Sequence, residues 1–138
     1  YKHFKSKKAA FESAVVEGLK EVQEGIGQLE SEHGHNWWQA FADLYVNDRR
    51  TCDAQYSCGL QSLTSEVARG DEPLKEAYET ELLKIASLAQ GTKGSDINAE
   101  TWQKLSILVG GITLARAVKD PELSEKIGAA IRQSTLFD

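Results

Sequence analysis

The chain of 138 residues contains no methionine, two cysteines, two prolines and three histidines. Each scarcity closes off a class of protein. Two cysteines cannot build a disulfide framework, and a chain so poor in thiols reads as cytoplasmic. Three histidines, two of them in one stretch with Glu30 and Glu32, leave little for a metal centre. Glu30 and His33 have Glu-x-x-His spacing, but a di-iron bundle needs two copies and further carboxylates. Residues 27–35 therefore read as an exposed polar loop or fraying helix end, and neither metal nor cofactor is expected. Few prolines, few Gly/Asn/Asp clusters and no clean period-two alternation argue against sheet folds. The uncharged apolar run Leu105–Ala115 is too short to span a bilayer, and nothing resembles a signal peptide, so no membrane partner is expected. Paired catalytic carboxylates, a Ser/His/Asp arrangement and a phosphate-cradling glycine loop are all missing, so the chain is not read as an enzyme. With no methionine even at position 1, it is expected to begin inside a longer protein.

What remains is helical spacing, and the expected fold class is all-α. The net charge of −5 is unevenly placed. Residues 1–8 hold four lysines and no acid, which leaves 12 basic against 21 acidic residues in the rest. An acidic body repels nucleic acid, whereas the basic tip attracts it. Ser6 suits the N-cap of a helix running to about Gly25, with Phe11, Ala14, Val15, Leu19, Val22 and Ile26 inward. Lysines in its first turn oppose the helix dipole unless an anion is present. Asn36–Tyr45 reads as a short aromatic helix. Successive tryptophans lie about 100° apart on a helix, so Trp37 and Trp38 fall on different faces. Asn47–Ser57, including Cys52, reads as a loop. Cys58 and Gly59 open a helix with Leu60, Leu63 and Val67 inward. Its dipole favours a thiolate at Cys58, though a free cysteine is more often a small inert hydrophobe. Asp71-Glu72-Pro73 opens the next helix, whose inward stripe is Leu74, Ala77, Tyr78, Leu82, Ile85, Leu88 and Ala89.

The run from Leu105 to Ala115 organises the remainder. It belongs to a helix capped by Asn98 and ended before Asp120-Pro121. One stripe reads Leu105, Leu108, Ile112, Ala115; a second reads Ile107, Gly111, Leu114, Val118. A helix apolar on two stripes is buried on two sides. Gly110 and Gly111, each costing about 1 kcal/mol of helix propensity against alanine, point to close helix approach. Asp120 caps a last helix with Leu123, Ile127, Ala130 and Ile131 on one face, and the short connection makes an antiparallel hairpin. A domain this small has little core left to cover both stripes. The hairpin is therefore expected to form a homodimer through a four-helix bundle, with Leu108, Ile112, Ala115, Leu123, Ile127 and Ile131 at the interface.

Three segments carry a resemblance. YKHFKSKKAAFESAV is very similar to the segment that ends the helix-turn-helix and opens the next helix in the TetR family of bacterial transcriptional regulators. LVGGITLARAVKDPELSEKIGAA resembles that family's carboxy-terminal helix pair. SCGLQSLTSEVAR, between them, resembles one branch of the family. The resemblance implies that residues 1–8 are the tail of a DNA-binding domain whose reading helices lie upstream. Residues 9–138 would be the effector-binding and dimerisation domain of a ligand-responsive regulator, usually a repressor. Tyr1, His3 and Lys7 match positions that touch DNA phosphates in the family, contacts that position a protein without reading bases. Lys8 departs from the usual acidic or small residue and takes no role. The implied partners are a second copy of the chain, operator DNA through the missing part, and a small, largely apolar effector. Aromatic walls with a few polar tips suit an effector pocket, which makes Trp38, Phe41, Tyr45, Leu63, Tyr78, Leu82 and Trp102, with Cys58, the candidate ligand contacts. The competing reading is a small helical carrier, or an enzyme without a recognisable motif.

Overall fold

The structure, a computed structural model, describes residues 6–49, 59–92 and 96–134. Tyr1, His3, Cys52 and Cys58 lie outside the described residues, with most of the expected 47–57 loop. The described chain is all-α. Its elements are α1 (Lys7–His33), a 3-10 turn at Gly34–Asn36, α2 (Trp37–Leu44), a π-helical turn at Tyr45–Arg49, α3 (Gly59–Ser62), α4 (Thr64–Ala68), α5 (Glu72–Gln90), α6 (Ala99–Ala117) and α7 (Pro121–Arg132). No helix among the described residues is long and apolar enough to cross a membrane.

Local chemistry sets most helix starts. The Ser6 hydroxyl accepts from the Ala9 N–H at 3.1 Å, Asp71 from Leu74 at 3.1 Å, Asn98 from Thr101 at 2.9 Å and Asp120 from Glu122 at 3.0 Å. Each cap satisfies one amide that the first helical turn leaves without a partner. The end of α1 departs from expectation. It continues past Gly25 and Gly27 to His33, and stops at Gly34 with a positive φ of 59°. Two glycines weaken the helix by about 2 kcal/mol together. Ile26 between them is fully buried and Leu29 packs against the core, and each such side chain returns about 1.5–3 kcal/mol. Tertiary burial outweighs local propensity there, and the expected loop at 27–33 is helix.

The core lies where α1, α5 and α6 meet. α1 and α5 run in the same direction: Lys8 pairs with Asp71 near their starts, and the Gln23 side chain donates to the Glu81 carbonyl at 3.2 Å further along. Val15, Leu19 and Ile26 of α1 meet Leu74, Ile85, Ala86 and Ala89 of α5, while α6 adds Leu105, Leu108 and Ile112. Leu88, expected inward, is exposed, and Glu81 occupies a buried position on the same helix. The loop after α5 is tied by one residue. Gln90 Oε1 accepts from the Asn98 N–H at 2.7 Å, and its Nε2 donates to Thr92 Oγ1 at 2.9 Å and to the Asp96 carbonyl at 3.1 Å.

α6 and α7 form the expected hairpin, but with its two stripes in reversed roles. Leu108, Ile112, Ala115 and Ile131 are buried within the single chain. They are core, and the expectation that they meet a second copy is corrected. Ile127 is half-buried against the same core and Leu123 is exposed. α7 turns Ser124, Gly128 and Ile131 inward, so Leu123 and Ala130 do not share the buried face read from the sequence. The outward residues are Leu114, 62% exposed, and Leu123, 44% exposed.

The glycine pair divides in the same way. A Cβ at Gly111 would overlap Ile131 Cδ1 and stand 2.7 Å from its Cγ1, so α6 and α7 approach there as only glycine permits. A Cβ at Gly110 would meet nothing within 4 Å. Gly110→Ala should therefore stabilise by about 1 kcal/mol through helix propensity. Gly111→Ala should destabilise, because overpacking costs about 1–3 kcal/mol and the β-branched Ile131 is stiff at χ1. Thermal unfolding of the two variants reads the difference; equal shifts would mean that the hairpin is not closely packed at Gly111.

Candidate functional site

A surface groove of about 330 Å³ opens between three helical segments. α3 and α4 contribute Leu60 and Thr64, α5 contributes Tyr78 and Leu82, and α6 contributes Trp102, Leu105, Ser106, Val109 and Gly110. The helix from Gly59 breaks at Leu63 and restarts at Thr64. At that break the Thr64 hydroxyl donates to the Leu60 carbonyl at 2.5 Å and lies 2.8 Å from the Tyr78 hydroxyl. The break thus turns two hydroxyls toward one another at the junction of α4 and α5. Among the described residues that line this groove there is no acid, lysine, arginine or histidine. A second groove, about 410 Å³, shares Thr64, Tyr78 and Leu82, and adds Lys75 and Glu79 on α5.

Of the eight expected ligand contacts, Tyr78, Leu82 and Trp102 line the first groove. Phe41 and Tyr45 do not line it; both are buried, their rings stacked at 5.5 Å. Trp38 and Leu63 are half-buried against the core. The Trp37 and Trp38 indoles stack at 4.6 Å with 28° between planes. Their Cβ atoms diverge, as the helical angle requires, yet the long indoles meet. Lys104 lies 4.9 Å from the centre of the Trp38 ring and 3.3 Å from Glu100. That arrangement shields a half-buried tryptophan with the aliphatic stem and charge of a lysine. The aromatic helix therefore builds core, and the groove belongs to α4, α5 and α6. Leu60, Thr64, Leu105, Ser106, Val109 and Gly110 were missed. The spacing of Trp102, Ser106, Val109 and Gly110 marks one face of α6 and was legible; the role of Thr64 depends on Tyr78, fourteen residues away.

At the start of α1, Lys7 is exposed. Lys8 pairs with Asp71, the residue that caps α5. The hydrogen bond and charge of Asp71 hold the Lys8 ammonium above its ordinary value. Lys8 and the Leu74 N–H hold the Asp71 carboxyl below its own. A lowered acid contributes stability above its ordinary value and loses it as pH falls through the lowered one; a raised lysine contributes below its ordinary value and loses it as pH rises through the raised one. The link is therefore whole between those limits. Lys8→Gln should shift the acid limb of a pH–stability curve upward and leave the pH 7 fold intact, as circular dichroism against pH would record; an unchanged acid limb would mean that the pair is not formed in solution.

Among the described residues, no group of three or more His, Cys, Asp or Glu side chains gathers to hold a metal. Comparison with family models, with curated proteins and with solved structures gave no match to this chain.

Proposed function

We propose that the chain is the effector-binding and dimerisation part of a ligand-responsive transcriptional regulator of the TetR type, acting as a repressor. The observation that carries the reading is the α6–α7 hairpin. One side of it builds the domain's own core, and the other leaves Leu114 and Leu123 in water. An amphipathic pair with a second apolar side suits a symmetric bundle in which the same two helices of each copy meet. The resemblance of residues 1–15 and 108–130 to the two ends of that domain adds the direction of signalling, from the groove through α1 to DNA-reading helices ahead of Tyr1.

The mechanism has two states. A small molecule in the groove contacts α4, α5 and α6 together and favours one arrangement of them. α1 packs along α5, and Lys8 joins it to the α4–α5 corner at Asp71. A change in that corner therefore reaches the start of α1, and with it the spacing of two paired DNA-reading units. The ligand shifts the balance only by its difference in affinity for the two states, so DNA and ligand weaken each other reciprocally. The test is sedimentation of the purified chain at micromolar concentration. A dimer is expected; a monomer at all concentrations would overturn the reading.

A further inference from the structure

We propose that Gly25 and Gly27 make a joint in α1, about which the end of the helix, residues 28–33, opens as one unit while its start stays closed. Glycine inside a helix ordinarily answers a need for close packing or for an unusual backbone. Neither applies here. Both residues have ordinary helical backbone and are exposed, and a Cβ on either would meet nothing among the described residues within 4 Å. What remains is the weakness itself, since glycine gives up more backbone freedom than any other residue on entering a helix.

The two sides of the joint are held differently. Before it, Val15 and Leu19 are fully buried, Lys8 pairs with Asp71, and the Gln23 amide donates to the Glu81 carbonyl at 3.2 Å. Ile26, inside the joint, is fully buried and is its fixed point. After it, Leu29 is the one apolar side chain of the segment, and it is only half-buried. Glu30 keeps one carboxylate oxygen buried with no hydrogen-bond partner among the described residues, a cost that opening removes by returning the oxygen to water. The Gln28 amide donates to the Glu32 carboxylate at 2.9 Å. That bond lies within the segment and does not fasten it to the domain. Opening the end therefore gives up one half-buried leucine and frees a stranded carboxylate, whereas opening the start would strip the core. The segment is also no free terminus. Past the 3-10 turn stands Trp37, buried like Ile26, so residues 28–33 form a strap held at both ends. Such a joint lets the start of α1 tilt with α5 without dragging α2 after it. That use rests on the effector-domain reading; the opening does not.

Hydrogen exchange of the 138-residue chain, followed amide by amide by NMR, tests the joint. The amides of residues 29–33 are expected to share one protection factor, at least about a hundredfold below that of residues 15–22. They should keep it in low denaturant, since opening so short a segment exposes little surface. Protection graded from residue 29 down to residue 33 would be fraying from the end and would overturn the unit. Gly25→Ala combined with Gly27→Ala should raise protection at residues 29–33 by about ten- to thirtyfold, because alanine resists leaving the helix. Gly110→Ala, which strengthens a different helix, should leave those amides unchanged. No change at residues 29–33 in the double variant would overturn the joint, as would one protection factor shared by the whole of α1. Glu30→Leu should raise the same protection by about three- to tenfold; a fall would mean that Glu30 holds the segment shut, and would overturn the proposal. Failure of the effector-domain reading shows separately, as a monomer in sedimentation.

Discussion

Ile112→Glu is expected to abolish folding, whereas Leu114→Glu, two residues along the same helix, is expected to give a folded monomer. Ile112 is fully enclosed by its own chain and Leu114 is 62% exposed. A carboxylate at position 112 would stand in the core with no cation to meet it. Such an uncompensated charge costs about 3–5 kcal/mol, and loss of the isoleucine packing adds about 2–5 kcal/mol. The sum reaches the whole stability of an ordinary domain, about 5–15 kcal/mol. At position 114 the single chain loses little, within about 0.5 kcal/mol for a surface site. If α6 and α7 meet their copies there, two carboxylates are buried about the symmetry axis and association fails. Circular dichroism with sedimentation reads both variants. A folded Ile112→Glu chain would show that this stripe is not core. A dimeric Leu114→Glu chain would show that association, if it occurs, does not use the outer side of the hairpin.

That reversal marks what a sequence of this kind conveys. Periodicity separated the two stripes of α6, because side-chain direction follows from helix geometry alone. It could not say which stripe meets the domain's own helices, since both are equally apolar and the answer depends on where α1 and α5 lie. The caps at Ser6, Asp71, Asn98 and Asp120 were legible because a side chain and an amide two or three residues away decide them. The end of α1 was not, because Ile26 and Leu29 are held by distant partners. The groove was half legible for the same reason. Trp102, Tyr78 and Leu82 stand out as aromatic or apolar residues on regular helices, but so do Phe41 and Tyr45, which the fold uses as core. Thr64 has no mark in the sequence. Its importance comes from a helix break that brings it to Tyr78.

Glu81→Leu is expected to make the domain more stable. Glu81 is 4% exposed, on the side of α5 that also carries Leu74 and Ile85 into the core. One carboxylate oxygen meets Lys84 Nζ at 2.9 Å, and the other is buried without a hydrogen-bond partner. The lysine side chain is 56% exposed, so water weakens its attraction while the carboxylate bears most of the desolvation. Replacing such a half-satisfied ion by an apolar group of similar volume gains about 1–4 kcal/mol in comparable cases, or roughly 3–14 °C in melting temperature for a domain of this size. Glu81→Gln should gain less, since its amide would be buried in the same position with the same shortage of partners. Glu81→Ala should gain least, because the space left beside α1 offsets the benefit. Differential scanning calorimetry of the three orders them. If leucine destabilises and glutamine does not, the second oxygen has a polar partner in solution. The α1–α5 seam would then be held by a hydrogen bond there, and that seam is the path by which an occupied groove would reach the start of α1.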